Sequence, residues 1–180
     1  MHIQSIAVFC GSKEGTNPVF KEHAILLGEL IAQHSLTLIY GGGNVGIMGT
    51  IADTVMKNSG KVIGIIPKLL LEWERQHQGL TELIIADDMH NRKKQIYSLA
   101  DAAIILPGGF GTLDEFFEIL TWNQLSIHDK QIFILNSDGF YDHLILQIEQ
   151  MKNEGFLYEK AVQSLTIVKY PAELFLHLTH

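Results

Sequence analysis

Cysteine is almost absent from the sequence. It occurs once, at Cys10, so no disulfide can form within these residues, and a reducing, cytoplasmic setting is the simplest expectation. Basic residues are also in short supply. Thirteen Lys and Arg against twenty Asp and Glu leave a net charge of −7, and no basic run exceeds Arg92-Lys93-Lys94. That balance argues against a nucleic-acid partner. No apolar run approaches the ~20 residues of a membrane span. The opening Met-His-Ile-Gln-Ser-Ile-Ala-Val-Phe-Cys has no basic n-region and reads as a strand, so neither a signal peptide nor a membrane partner is expected. The nine histidines are scattered, none in an H-E-x-x-H spacing, and no metal is expected. Neither glycine-rich loop contains G-K-[ST], which disfavours Walker-type nucleotide hydrolysis.

What remains is a hydrophobic, glycine-punctuated chain. Its 180 residues, 47% of them hydrophobic, suit one domain, 1–180, with a sizeable core. Short apolar runs at 3–9, 36–40, 61–66, 82–86, 102–106, 131–135 and 165–168 read as strands. Several are continuously apolar, the pattern of strands covered on both faces. Helical patterns fill the gaps at about 18–34, 46–58, 89–100, 112–124, 139–153 and 171–178. In the fourth, Leu113, Phe116, Phe117 and Leu120 fall on one face. The alternation predicts an α/β fold: a single Rossmann-like, doubly wound domain of about seven mainly parallel strands, with helices on both faces. No linker, repeat or low-complexity tract interrupts it. The one irregular stretch, 67–79, carries Leu69, Leu70, Leu71 and Trp73. It reads either as a short helix over the site or as an exposed contact surface.

The unusual clusters all fall at carboxyl ends of predicted strands: Cys10-Gly11-Ser12, Gly41-Gly42-Gly43, Pro67, Asp87-Asp88 and Pro107-Gly108-Gly109. In open α/β sheets that edge binds ligands. The fifth cluster carries most information. Pro107-Gly-Gly-Phe-Gly-Thr-Leu-Asp-Glu115 takes a buried strand into a helix through three glycines. Such a turn lets backbone N–H groups of Gly109, Gly111 and Thr112 approach an anion at a helix N-terminus. Glu115 has two readings there. It completes a Thr112-x-x-Glu115 capping box, or it projects toward the sugar of a nucleotide whose phosphate the loop holds.

Gly41-Gly42-Gly43-Asn44-Val45-Gly46 matches G-x-G-x-x-G, but it follows the second strand, and the next strand ends at Pro67-Lys68 without a ribose-binding acid. Tight packing of Gly46 and Gly49 explains part of it. The rest reads as a backbone wall around a ligand smaller than a dinucleotide. Met89-His-Asn-Arg-Lys-Lys94 places three cations where a helix dipole disfavours them. Either Asp87 and Asp88 pair with that charge, or the cations face a ligand. Cys10, with no assignable base, reads as packing, and Ser12 as a phosphate donor.

Taken together, Pro107–Glu115 and Met89–Lys93 resemble the signature of the Lonely Guy family of cytokinin riboside 5′-monophosphate phosphoribohydrolases. Val8-Phe-Cys-Gly-Ser12, Tyr40–Gly49, Val62-Ile-Gly-Ile-Ile-Pro67 and Thr121-Trp-Asn-Gln-Leu125 match as well, so the likeness spans about residues 3–150. The resemblance implies a catalytic pair, Arg92 and Glu115. It implies a substrate site that includes Gly11, Ser12, Gly42, Gly43, Met89, Lys93, Gly108, Gly109, Gly111 and Thr112. It also implies a homodimer, a small nucleoside monophosphate as partner and no cofactor. The expected reaction is hydrolysis of an adenine-type nucleoside 5′-monophosphate to free base and ribose 5-phosphate. A non-catalytic nucleotide or molybdenum-cofactor carrier on the same fold is the alternative. This chain departs from the family at Ser126, usually glycine, and at Gln131, usually proline.

Overall fold

The computed structural model describes residues 3–71, 76–158 and 163–178. Trp73 lies outside them. The elements run β1 (Ser5–Phe9), α1 (Pro18–Gln33), β2 (Thr37–Tyr40), α2 (Gly46–Lys57), β3 (Lys61–Pro67), β4 (Glu82–Ala86), α3 (Met89–Leu99), β5 (Ala102–Ile105), α4 (Phe110–Gln124), β6 (Ile132–Leu135), α5 (Asp142–Asn153), β7 (Leu165–Val168) and α6 (Pro171–Leu178). The seven strands form one sheet in the order β4-β3-β2-β1-β5-β6-β7, and every pairing is parallel.

Alternation along each strand divides the core in two. Ile6, Val8, Leu38, Tyr40, Ile104 and Leu106 point to one side, where Leu27 and Ile31 of α1, Ile47 and Ile51 of α2, and Leu174 of α6 cover them. Ala7, Phe9, Ile39, Ala103 and Ile105 point to the other, against Ile96 and Tyr97 of α3, Phe116 and Ile119 of α4, and Ile148 of α5. Parallel strands covered on both faces must be apolar at every position. That explains why β5 and β6 are buried throughout and read as unbroken hydrophobic runs.

Two features position the site. The chain lays down β1 to β4 in one direction and then returns to place β5 against the free side of β1, with Ile6 to Phe9 in register with Ala102 to Ile105. The strand order therefore reverses between β1 and β5, the place where open parallel sheets form a crevice at their carboxyl edge. Second, α3 recrosses the sheet from its β4 edge to reach β5. It packs on β3, β2 and β1 on the way, which carries its first turns over the carboxyl ends of the central strands.

The described part of the stretch after β3 opens on a helical turn. Lys68–Leu70 is a short 3₁₀ turn whose Leu69 is exposed. Farther on, Gln76 bridges to Gly43, the His77 N–H donates to the Gly42 carbonyl at 2.9 Å, and His77 Nε2 lies 3.0 Å from Asp53 Oδ1.

Candidate active site

At the point of strand reversal the loops after β1 and β5 are tied together. The Gly11 N–H donates to the Pro107 carbonyl at 3.1 Å, and the Met48 N–H donates to the Gly11 carbonyl at 3.3 Å. Gly46 brings the start of α2 against the same place. It has φ +62°, and a Cβ there would lie 2.4 Å from the Ser12 carbonyl carbon. The packing expected of Gly46 is thus present. Above these loops opens a cavity of about 470 Å³. Its lining gathers nine of the twelve residues that the sequence and the family resemblance nominate: Gly11, Ser12, Met89, Arg92, Gly108, Gly109, Gly111, Thr112 and Glu115.

The glycine loop differs from the sequence expectation in one respect. Helix α4 begins at Phe110, with Gly109 as its N-cap and no side-chain cap, rather than at Thr112. The first intrahelical bond runs from the Leu113 N–H to the Gly109 carbonyl at 3.1 Å. A Thr112–Glu115 capping box is therefore ruled out: Thr112 is the third helical residue, and Glu115 lies a turn inside the helix. The N–H groups of Phe110, Gly111 and Thr112 have no helical carbonyl four residues behind them. They end at the cavity, with the positive end of the helix dipole. Gly108 is required by the protein itself, since a Cβ would meet Thr112 Oγ1 at 2.1 Å. Gly109 and Gly111 are not: a Cβ on either would meet nothing within 4 Å. Glycine in a helix costs about 0.5–1 kcal/mol relative to alanine. Packing within the protein gives no return for it at Gly111, whereas a ligand seated on the backbone would.

Arg92 comes from the other side. Asp88 caps α3, its Oδ1 accepting from the Asn91 N–H at 2.7 Å, while Asp87 pairs with Lys68 at 2.7 Å. The upstream acids are thus engaged away from Arg92. The arginine is 5% exposed, and its guanidinium is aimed by backbone carbonyls. Nε donates to Ile65 O at 3.0 Å and Nη2 to Gly41 O at 3.0 Å. Nη1 lies 4.0 Å from Glu115 Oε1. Buried carbonyl partners fix the planar guanidinium in one orientation, with Nη1 toward Glu115. Cys10 forms part of the floor. Burial, reinforced by the Glu115 charge and only partly offset by Arg92, pushes its thiol well up. It stays protonated, as its reading as a packing residue requires.

Three nominated residues lie elsewhere. Gly42 and Gly43 do not line the cavity; the Gly42 carbonyl and the Gly43 bridge hold the 76–77 segment. Lys93 turns away to α4, with Nζ 3.0 Å from Asp114 Oδ2 and 3.1 Å from Glu118 Oε2. Other residues enter without having been nominated. Gly41 aims Arg92, and Lys13, Phe20, Met48, Leu70 and Phe140 line the cavity. Gly41 carried a signal, as the first of three glycines after a strand. Phe20 and Phe140 carried none, because helix packing alone brings them in. Among the described residues no group of three or more His, Cys, Asp or Glu could hold a metal ion, and no helix is long and apolar enough to cross a membrane.

The model of a family described as "Possible lysine decarboxylase" matches residues 48–178. A probable cytokinin riboside 5′-monophosphate phosphoribohydrolase of Oryza sativa subsp. japonica is 45% identical over 152 residues, 84% of this chain and 68% of the relative. A cytokinin riboside 5′-monophosphate phosphoribohydrolase of Arabidopsis thaliana is 43% identical over 84% of this chain and 70% of its own length. Among solved structures, the molybdenum cofactor binding protein of Rippkaea orientalis superposes with a TM-score of 0.74 at 26% identity, covering 100% of this chain and 99% of that one. The Moco carrier protein of Chlamydomonas reinhardtii gives 0.72 at 17% identity, over 98% and 95%, and shares the fold. The extent and level of identity to the hydrolases decide the matter: the chain belongs to the Lonely Guy family of cytokinin riboside 5′-monophosphate phosphoribohydrolases and is an enzyme of the phosphoribohydrolase type.

Proposed function

We propose that the protein hydrolyses the N-glycosidic bond of adenine-type nucleoside 5′-monophosphates, AMP and cytokinin riboside 5′-monophosphates, releasing free base and ribose 5-phosphate. The observation that carries this reading is the approach of Arg92 Nη1 to Glu115 Oε1, 4.0 Å apart, on the wall of a cavity that also receives the amino end of α4. The phosphate is assigned to the N–H groups of Gly109, Gly111 and Thr112, with Ser12 as a further donor. A helix N-terminus adds about 0.3–1 kcal/mol for an anion, and up to ~2 when partly buried. Anchoring the phosphate spends its binding energy on placing the sugar.

Cleavage of the glycosidic bond builds positive charge on the ribose. Glu115, 13% exposed, is assigned to stabilise that charge, hold ribose hydroxyls and activate the attacking water. Arg92 is assigned to orient the base and stabilise the electron density that it carries away. Met89 borders the same space. The test is release of free base from AMP and from isopentenyladenine riboside monophosphate by the purified protein. Full activity in Glu115→Gln would sink the assignment.

A carrier role is the second reading, favoured by the likeness to the molybdenum cofactor binding protein. It predicts tight binding without turnover and gives no reason for a carboxylate facing a carbonyl-aimed arginine. The enzyme is further proposed to act as a homodimer. Phe116 is fully buried and belongs to the core, so it supplies no contact. Phe117 borders an apolar groove with Leu120, Ile148 and Leu157, and Leu69 is exposed. Light scattering that returned a fully active monomer would count against pairing.

A further inference from the structure

Lys93 follows Arg92 in the chain, yet it points to the neighbouring helix rather than into the cavity. Its side chain is 15% exposed, and Nζ sits between Asp114 Oδ2 at 3.0 Å and Glu118 Oε2 at 3.1 Å. Those two acids stand four residues apart on α4, and Glu115 lies next to one and three residues from the other. Three carboxylates therefore share a turn of one helix. Asp114 and Glu118, and Glu115 and Glu118, stand at spacings where like charges repel, and Lys93 is the cation set between Asp114 and Glu118.

We infer that Lys93 is a positioning residue for Glu115: by bridging Asp114 and Glu118 it holds α4 to α3 at the point where Arg92 and Glu115 meet, and it offsets the two carboxylates flanking Glu115. The clamp acts at both ends of the pair. On α3, Lys93 is bonded to Arg92 through the backbone. On α4, its two partners straddle Glu115. Burial of the ammonium works against its charge, but the bonds to Asp114 and Glu118 prevail and hold it protonated above its ordinary range. The other charged or titratable groups around Glu115 are Arg92 on α3, Cys10 at the end of β1, and Lys13 and Glu14 across the cavity.

The inference rests on the reading of Glu115 as the residue that meets the sugar, so the experiment reads Glu115 with and without turnover. The Glu115 carboxyl is followed by ¹³C NMR titration in the full-length wild type, Lys93→Met and the double variant Asp114→Asn/Glu118→Gln, while kcat and KM are measured with AMP. In Lys93→Met the flanking carboxylates lose their counter-charge, so the Glu115 titration moves to higher pH. In the double variant the lysine is left without its acids, and the titration moves to lower pH. kcat of Lys93→Met falls on the order of tenfold to hundredfold with KM changed by less than about threefold, and Lys93→Arg recovers most of it. Shifts in the same direction in both variants, or no shift in either, overturn the role of Lys93, as does an unchanged kcat in Lys93→Met. Should Lys93→Met fail to fold, the double variant and Lys93→Arg decide alone. A wild type that releases no base from AMP or from isopentenyladenine riboside monophosphate defeats the proposed hydrolysis instead, and the titrations still show whether Lys93 governs Glu115.

Discussion

Gly41 and Arg92 fit together only because position 41 has no side chain: a Cβ there would stand 2.0 Å from Nη2. The obstructed atom is the free end of a flexible side chain, so the chain can fold around an added methyl by letting the arginine swing out. The bonds from Nη2 to Gly41 O and from Nε to Ile65 O would be lost with the move. Gly41→Ala is therefore expected to lower kcat/KM on the order of a hundredfold while the unfolding midpoint changes little. Loss of the fold instead of the activity would show that Arg92 cannot move.

Gly111→Ala separates stability from function in the opposite sense. Alanine suits the first turn of α4 and meets nothing there, so the variant should gain roughly 0.5–1 kcal/mol in a denaturation experiment. The same methyl fills space assigned to the phosphate, and KM for AMP should rise several-fold or more. A stabilised variant with unchanged KM would move the phosphate away from this turn.

Ser126 departs from the family's usual glycine at a place where the geometry asks for one. The end of α4 is closed by two bonds, Ser126 N–H to Asn123 O and Ile127 N–H to Trp122 O, both 3.0 Å. This is the reciprocal pattern that puts its middle residue in the left-handed region. Ser126 has φ +57°. Ser126→Gly is expected to stabilise the protein by about 1 kcal/mol without changing kcat, measured by urea unfolding beside turnover.

Asp101 ties the starts of β1 and β5. It accepts from the Gln4 and Ser5 N–H groups at 2.8 and 3.0 Å and from Ser5 Oγ at 3.0 Å. Burial opposes ionisation, but these bonds prevail and hold the carboxyl below 3.8. A depressed folded value adds stability above the unfolded value and loses it as pH falls through the folded one. The wild type should exceed Asp101→Asn by a constant margin above about pH 5, and the two curves should meet in stronger acid. Parallel curves down to that range would mean that the carboxylate charge contributes nothing.

Much of this was legible in the chain because burial on both faces leaves a strong mark. All seven runs read as strands are strands, displaced by at most two residues at an end. The start of α4 was not legible. Thr112 and Glu115 have the spacing of a capping box, but with three glycines before Thr112 the helix begins at Phe110 without a side-chain cap. The orientation of Lys93 was equally hidden. Sequence shows a lysine beside an arginine; only the packing of α3 on α4 shows that their heads diverge. The cavity wall formed by Phe20 and Phe140 follows from tertiary packing and has no local signal.

The seating of β5 against β1 also bears on how the molecule is made. As the chain emerges from synthesis, β1 to β4 can pair in sequence, but one side of β1 keeps its row of open hydrogen-bonding groups until residue 102 and those after it arrive. An open edge of that kind invites pairing with other chains. The strand that covers it is the same one that delivers Pro107, the glycine loop and α4. The crevice is thus finished in the step that covers the open side of β1, while the outer side of β5 waits for β6 and β7. A ligand that needs both loops should bind no folding intermediate that lacks β5, and its presence would protect amide hydrogens across the β1–β5 seam rather than in one loop.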